Sequence, residues 1–315
     1  MAKGMGAGKI LFSSDIDDPV AWGAAVRALR PDLEVVDWRA AAEPEAFEFA
    51  LLWKPPPGGL GPYRNLKAIQ SLGAGINQLD LSTLPPGLPL ARLIDPHLTE
   101  TMVDYAVTAV YRHFRGFDRF ERQGRERRWA HEEPPTKADF PVGVMGLGVL
   151  GGAVAQRIRA LGFPVTGWSR SRHPIDGIEV FAGREELPAF LASARGFVCV
   201  LALTEHTAGI LNRETMGAMR PGSCIINMGR GGHLVEGDLA ALVRAGHIAG
   251  ATLDVLSQEP VPADHPFYDL PEILVTPHVA GGIAPRSAAP IVIENFDRAM
   301  AGTPLLNLVD PARGY

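Results

Sequence analysis

The stretch from Pro141 to Ala160 constrains the fold more than any other part of the sequence. It starts with a short apolar run, continues through Gly146-x-Gly148-x-x-Gly151, and then places apolar residues at helical spacing. The pattern predicts a buried strand that turns sharply into a helix, the setting in which this glycine spacing binds a dinucleotide. The first glycine permits the tight turn, the second lets a pyrophosphate approach the backbone, and the third lets helix and strand pack closely. A purely structural glycine turn is the alternative.

Strand and helix signals alternate along the rest of the chain. Strands are expected at 10–12, 33–38, 47–53, 66–72, 88–94, 165–168, 178–181, 197–203, 224–228, 250–255 and 273–276. Helices are expected at 19–29, 99–122, 184–194, 236–245 and 286–300, and we predict that the last one returns to the first domain. Repeated strand–helix units imply parallel sheets with helices on both faces.

The length of 315 residues exceeds the usual size of one domain. We therefore predict an α/β fold class with two doubly wound parallel-sheet domains, the larger a Rossmann dinucleotide-binding domain and the smaller a flavodoxin-like substrate domain. The predicted bounds are 9–98 plus 286–315 for the substrate domain and 99–285 for the dinucleotide-binding domain.

Charge and composition argue against several classes of partner. The formal net charge is −5 and the sequence pI is about 6.0, so there is no global attraction to nucleic acid or to an anionic membrane. The basic run at 119–128 is interleaved with acidic residues, which favours a solvated or subunit-facing surface. No apolar run approaches the length of a membrane span, and the first residues do not show the charged and apolar regions expected of a signal peptide.

The two cysteines, Cys199 and Cys224, each lie in an apolar run of strand type. We interpret both as buried thiols of a protein in a reducing compartment, and we expect a cytoplasmic location. No spacing of potential ligands suggests a metal site.

The residues after the second strand of the predicted Rossmann unit bear on which nicotinamide cofactor is used. At this point NAD-binding units normally place an Asp or Glu that binds the ribose 2′-OH, but here the sequence is Ser169-Arg170-Ser171-Arg172. Two guanidinium groups could hold a 2′-phosphate by charge-assisted hydrogen bonds, so we predict NADP(H). The alternative is that these arginines are solvated and either cofactor is accepted.

Further cofactor contacts are expected near the ends of the predicted strands and in the glycine loop. We assign them to Val149 and Leu150 after Gly148, and to Leu203 and Met228 at the ends of two later strands.

Three polar residues follow successive late strands, where ligands bind in open α/β sheets. Reduction of a 2-oxo acid needs a proton donor for the carbonyl oxygen and a cation for the carboxylate. His278 titrates in the right range to give the proton, and Glu259 would favour and orient its charged form. Arg230 could grip the carboxylate and stabilise developing negative charge. Taken singly, each of the three could instead have a structural role.

The turn Gly73-Ala74-Gly75 follows another predicted strand. Its small residues leave backbone N–H groups accessible, so Ala74 and Gly75 could dock a small carboxylate. From spacing alone, an ordinary turn is an equal alternative.

The motifs together resemble the D-2-hydroxyacid dehydrogenase family, and within it the NADPH-dependent glyoxylate/hydroxypyruvate reductases of the bacterial A type. The resemblance covers nearly the whole chain after a glycine-rich leader. It rests on the segments 72–75, 146–151, 168–172, 181–187, 229–231, 253–255 with 259–260, 277–280 and 309–315.

The resemblance implies a reductase that converts glyoxylate to glycolate and hydroxypyruvate to D-glycerate. It implies that Arg230 binds the substrate, that His278 paired with Glu259 is the acid/base, and that Asp254 contacts the nicotinamide carboxamide. It also implies that the long helix from Thr99 helps to form a homodimer.

Two alternatives remain open. A reductase for a bulkier 2-oxo acid would share all of these motifs. The resemblance implies that Lys54 and the proline loop after it lie near the mouth of the site, where they would affect substrate preference. A dinucleotide-sensing protein without enzymatic activity could retain the catalytic residues.

Overall fold

A computed structural model of the chain describes residues 8–310. These residues divide into two compact units by their contacts. The first unit contains the described residues as far as Leu98 and those from Gly282 onward, and the second unit is the continuous stretch Thr99–Gly281. The closing segment 311–315, part of the family resemblance, lies outside the described residues.

The strands are β1 (Gly8–Ser13), β2 (Leu33–Asp37), β3 (Phe47–Leu52), β4 (Ala68–Ser71), β5 (Leu90–Ala91), β6 (Val142–Met145), β7 (Val165–Ser169), β8 (Glu179–Ala182), β9 (Gly196–Cys199), β10 (Ser223–Asn227), β11 (Ile248–Leu253) and β12 (Ile273–Val275). The α-helices are α1 (Pro19–Leu29), α2 (Pro96–Arg115), α3 (Phe117–Arg125), α4 (Val149–Ala160), α5 (Leu187–Ser193), α6 (Arg213–Gly217), α7 (Glu236–Arg244) and α8 (Pro285–Ala301).

The first unit is built on a five-stranded sheet in the order β2-β1-β3-β4-β5. All of its strand pairings are parallel. This is the flavodoxin-like doubly wound order, and buried apolar residues of β1 and β3, including Ile10, Phe12, Phe49 and Leu51, form the centre of its core. The predicted fold of the smaller unit is confirmed.

Helix α8 belongs to this first unit. The buried Asn295 on α8 donates from Nδ2 to Gln70 Oε1 on β4 at 2.6 Å. The backbone N–H of Leu306 donates to Asn295 Oδ1 at 2.7 Å. Both the NH2 group and the carbonyl oxygen of this buried amide are hydrogen-bonded. These bonds fix the helix against the sheet, because a buried polar group without a partner costs free energy.

The second unit is built on a seven-stranded sheet in the order β12-β11-β10-β9-β6-β7-β8. Its pairings too are all parallel. Strand β6 stands where the strand order reverses, the point at which ligands bind in open α/β sheets. The sheet confirms the predicted Rossmann architecture. Its strands are buried on both faces, which explains the continuous apolar runs in the sequence.

The prediction of one long helix at 99–122 was wrong. The segment forms two helices, α2 and α3, separated by Gly116 in a left-handed conformation with φ of +67°. That conformation is accessible to glycine and interrupts the hydrogen-bond ladder of the helix. Helix α2 also starts earlier than expected, at Pro96, where Asp95 Oδ1 accepts a hydrogen bond from the Leu98 N–H at 2.8 Å.

The arginines on and near α3 pair with glutamates. Arg119 lies 2.7 Å from Glu132, and Arg122 lies 2.6 Å from Glu272. None of the helices in the described part of the chain is long and apolar enough to cross a membrane.

Candidate active site

The glycine loop between β6 and α4 has the geometry that dinucleotide binding requires. Gly146 has a φ of +94°, which only glycine adopts readily. A Cβ on Gly151 would lie 1.8 Å from the Gly146 carbonyl oxygen, whereas a Cβ on Gly148 would meet nothing within 4 Å. The first and third glycines are thus required by the turn and its packing, and the second leaves open space beside the backbone.

Helix α4 starts at this loop without a side-chain cap. Its first N–H groups are therefore available to an anion at the positive end of the helix dipole. Val149 at its start is exposed, and Leu150 is half-buried. These residues fit the phosphates of a dinucleotide.

Two of the residues assigned to the cofactor in the loop after β7, Ser169 and Arg172, form hydrogen bonds within the protein. Ser169 is buried, and its hydroxyl donates to the Ser171 carbonyl at 2.9 Å. Arg172 was predicted to hold a 2′-phosphate, but its guanidinium donates to both carboxylate oxygens of Glu186 at 2.5 Å and to the Val180 carbonyl. These bonds use the donors of only two of its three nitrogens, so Nε–H is left without an acceptor among the described residues.

Arg170, two residues earlier, is exposed. His173 joins this loop to the glycine loop, because its Nε2 lies 2.9 Å from the Leu147 carbonyl oxygen. Sequence reasoning did not identify that link.

The remaining expected cofactor contacts lie around the strand ends of the second unit. Leu203 is half-buried, and a Cβ on Gly232 would lie 2.9 Å from a side-chain carbon of Leu203. Met228 is buried, and its N–H donates to the Cys199 carbonyl at 3.1 Å. Its side chain therefore belongs to the core.

His278 and Glu259 form a close pair. His278 Nδ1 lies 2.6 Å from Glu259 Oε2, and the Leu256 N–H donates to the other carboxylate oxygen at 3.0 Å. Because a carboxylate can only accept, Nδ1 carries a hydrogen and donates it. The imidazole is 46% exposed, and its Nε2 has no hydrogen-bond partner among the described residues. This nitrogen is therefore free to exchange a proton with a bound molecule.

Arg230 lies in the loop after β10, and hydrogen bonds to nearby residues hold its backbone in place. Its N–H donates to His233 Nδ1 at 3.1 Å, and its carbonyl accepts from Asn227 Nδ2 at 3.1 Å. Its guanidinium donates to the Gly229 carbonyl at 2.7 Å, and no carboxylate between residues 8 and 310 forms an ion pair with it. Desolvation lowers the pKa of Arg230, opposed by the charge of Glu259, and several N–H donors remain for an anion.

The loops that carry Arg230 and Glu259 touch. A Cβ on Gly231 would lie 1.9 Å from the backbone of Leu256, so this position admits only glycine. Together with the contact between Glu259 and His278, this packing brings the three predicted catalytic residues into one site.

Asp254 holds the loop of His278. The residue is 2% exposed, and its carboxylate accepts from the N–H groups of Val279 and Ala280, each at 2.8 Å, and from the Thr276 hydroxyl at 2.6 Å. The resemblance implied a contact with a nicotinamide carboxamide. The three bonds within the protein leave one acceptor position on Oδ2 for such a contact.

The turn after β4 in the first unit presents backbone donors. The N–H groups of Ala74 and Gly75 donate to no acceptor among residues 8–310, and both residues are half-buried. The turn is anchored on either side, because Gly73 donates to the Ser71 hydroxyl at 3.1 Å and accepts from the Leu93 N–H at 3.0 Å. Unpaired N–H groups on an anchored turn are suited to an anion.

No group of three or more His, Cys, Asp or Glu side chains in the described part of the chain could hold a metal ion. Cys199 and Cys224 are both buried, and desolvation raises the pKa of Cys199 to about 12.

Comparison with known proteins adds independent findings. The chain is 37% identical to glyoxylate/hydroxypyruvate reductase A of Yersinia enterocolitica, over 97% of this chain and 99% of that protein. It is 38% identical to the protein of the same name from Escherichia fergusonii, over the same shares.

Solved structures agree. A D-isomer specific 2-hydroxyacid dehydrogenase from Xanthobacter autotrophicus Py2, in complex with NADPH and MES, superposes with a TM-score of 0.94 at 41% identity and covers 98% of this chain and 100% of that one. An NADPH-dependent glyoxylate/hydroxypyruvate reductase from Sinorhizobium meliloti, in complex with NADP and sulfate, gives a TM-score of 0.89 at 33% identity, with the same shares covered.

The family model that matches this chain is described as D-isomer specific 2-hydroxyacid dehydrogenase, NAD binding domain, and it covers residues 107–280. These residues lie within the second unit and contain the glycine loop, Arg230, Glu259 and His278. The resemblance noted in the sequence is confirmed, and the chain belongs to the D-isomer specific 2-hydroxyacid dehydrogenase family.

Proposed function

We propose that this protein reduces glyoxylate and hydroxypyruvate to glycolate and D-glycerate with NADPH as the cofactor. The observation that carries the proposal is the pair of His278 and Glu259 beside a half-buried arginine that has no carboxylate partner among the described residues. Relatives that cover nearly the whole chain are named for this reaction, and structures of two family members contain NADPH or NADP.

His278 is the proton donor in this proposal. Glu259 accepts from Nδ1, which fixes the orientation of the ring, and Nε2 then faces the substrate. The carbonyl oxygen takes the proton from Nε2 as the carbon at position 2 gains a hydride. When bound, NADPH supplies that hydride.

Arg230 is the positively charged residue that binds the substrate in this proposal. Its planar guanidinium can bind a carboxylate with two parallel hydrogen bonds and can stabilise negative charge on the carbonyl oxygen. Burial strengthens both interactions, because less water competes for the charge. The N–H groups of Ala74 and Gly75 are a second proposed contact for the substrate carboxylate.

The glycine loop and the start of α4 would hold the cofactor phosphates, and Arg170, Arg172 and Ser169 would distinguish NADPH from NADH. The absence of an acidic residue in the segment 169–172 supports this choice.

We also propose that the protein acts in the cytoplasm as a homodimer that uses α2. The large apolar side chains exposed on and after α3, those of Phe117, Phe120 and Trp129, support a protein–protein contact in this region. Light scattering coupled to gel filtration would test the dimer, and a monomer at micromolar concentration would exclude it.

Loss of NADPH absorbance on addition of glyoxylate or hydroxypyruvate tests the activity. The same assay with phenylpyruvate and branched 2-oxo acids separates the proposal from a reductase for bulkier substrates. Tight NADPH binding without turnover of any 2-oxo acid would instead favour a sensor.

Two variants test the assigned roles. His278→Ala should lower kcat by orders of magnitude at nearly unchanged NADPH affinity, and Arg230→Ala should chiefly raise the KM for the 2-oxo acid. Near-normal turnover in the first variant, or an unchanged KM in the second, would contradict the corresponding role.

A further inference from the structure

A chain of hydrogen bonds runs from helix α2 to the loop that carries His278. Tyr105 on α2 has its phenol oxygen 2.6 Å from Thr276 Oγ1, just after β12. The Thr276 hydroxyl donates to Asp254 Oδ1, also at 2.6 Å. Tyr105 does not belong to any motif that the sequence singled out.

The direction of this chain is fixed by the number of available hydrogens. A threonine hydroxyl has one hydrogen, and Thr276 gives it to the Asp254 carboxylate, which can only accept. Tyr105 must therefore donate to Thr276 Oγ1. Burial raises the pKa of Tyr105 to about 12, so the phenol keeps its hydrogen at neutral pH. A donor behind the Thr276 hydroxyl polarises it and strengthens its bond to the carboxylate.

The Asp254 carboxylate in turn holds a backbone that needs support. His278 has a φ of +55°, in the left-handed region that residues other than glycine rarely occupy. Such a conformation persists only where the surroundings enforce it. Here the His278 N–H donates to the Asp254 carbonyl at 3.0 Å, and the next two N–H groups, of Val279 and Ala280, donate to its carboxylate. The Asp254 carboxylate therefore helps to hold the backbone from which the imidazole projects.

We propose that Tyr105 is a positioning residue for His278, acting through Thr276 and the Asp254 carboxylate. The phenol oxygen contacts Thr276 and acts through it, and its effect on turnover rests on the proposed reductase function. Without its donated hydrogen bond, the carboxylate is held less firmly and the imidazole spends less time in the orientation that pairs Nδ1 with Glu259.

Tyr105→Phe removes the hydroxyl and keeps the ring. We expect it to lower kcat for glyoxylate about three- to tenfold, the effect of one neutral hydrogen bond, with the KM for glyoxylate and the Kd for NADPH within about twofold. Tyr111→Phe is the matched control, because it removes a phenol from the same helix whose ring packs against Phe114 and Phe163. The control should keep the wild-type kcat.

Variants at Thr276 test whether the effect passes through its hydroxyl. Thr276→Val removes the relay and should lower kcat about ten- to hundredfold, since the lost bond goes to a charged group, whereas Thr276→Ser should recover most of the activity. Tyr105→Phe should cause no further loss in the Thr276→Val background. Independent, additive losses, or a kcat for Tyr105→Phe equal to that of the control, would overturn the proposal.

Hydrogen–deuterium exchange of the free protein gives a readout that does not depend on activity. The amides of Val279 and Ala280 should exchange faster in Tyr105→Phe than in the wild type or in Tyr111→Phe. Unchanged exchange at these amides would refute the relay. If the wild type reduces no 2-oxo acid, the proposed function fails, and the exchange rates still decide the relay.

Discussion

Two adjacent glycines in helix α4 are expected to respond in opposite ways to the same substitution. A Cβ on Gly151 would lie 1.8 Å from the Gly146 carbonyl oxygen, which is 1.6 Å inside the ordinary contact limit of 3.4 Å. The obstacle is backbone and cannot swing away, so helix and loop must separate. Overpacking of this kind costs about 1–3 kcal/mol. The gain from replacing glycine by alanine in a helix, about 0.5–1 kcal/mol, offsets part of that cost.

Gly152 is the matched control. A Cβ there would meet only the Leu147 carbonyl oxygen, at 3.8 Å, which is an ordinary contact. Gly152→Ala should therefore stabilise the protein by up to about 1 kcal/mol through helix propensity alone. We expect Gly151→Ala to lower the free energy of unfolding by about 1–2 kcal/mol relative to the wild type, and to raise the Kd for NADPH about tenfold or more, because the loop that faces the phosphates has moved.

Urea unfolding followed by circular dichroism gives the stabilities, and fluorescence titration with NADPH gives the affinities. The reasoning would be refuted if Gly151→Ala were as stable as Gly152→Ala and bound NADPH as tightly as the wild type. That result would mean that the close approach of helix and strand is not needed for this turn.

Three further substitutions test other parts of the structure. Arg170→Ala and Arg172→Ala should each raise the Kd for NADPH about tenfold with little change for NADH, because NADH has no 2′-phosphate for a guanidinium to bind; equal changes for the two nucleotides in separate titrations would contradict these roles. Asn295→Ala should lower the free energy of unfolding by about 2–4 kcal/mol, since the buried Gln70 and the half-buried Leu306 lose their hydrogen bonds, and a change under about 1 kcal/mol in urea unfolding would disprove it. Desolvation lowers the pKa of His233 below 6.5 in the folded protein, so the unfolded chain binds more protons at this residue as the pH falls. The stability that neutral His233 contributes is therefore fully present above pH 6.5 and is lost as the pH falls through the pKa of the folded state. His233→Leu, which also removes the acceptor for the Arg230 N–H, should flatten the fall in stability between about pH 6.5 and 5, and an unchanged slope would show that His233 does not cause it.

The fold followed from the sequence because its main signals are local. Buried apolar runs marked the strands, and turn residues separated them, so the bounds of α1 were predicted to the residue and most strands to within a few residues. The break at Gly116 was missed. A single glycine inside a helical pattern is often tolerated, and its backbone angle depends on packing that the sequence does not display.

The site could be predicted only in part. Arg230, Glu259 and His278 were recognisable because each follows a strand of one parallel sheet, and such strand ends meet at one edge. The partners of Asp254 and Arg172 were not recognisable, because they depend on contacts between segments that are separated in sequence. Tyr105 lies 171 residues before Thr276, and no local pattern connects them.

The division of the chain has a consequence for its synthesis. The second unit is one continuous stretch of the chain, so the ribosome completes it while the first unit still lacks α8 and the residues after it. Until α8 emerges, Gln70 Oε1 has no Asn295 to bind, and the apolar face that α8 covers remains open to water or to a chaperone. Shortening the chain at its C-terminal end should therefore damage the part of the protein that was translated first.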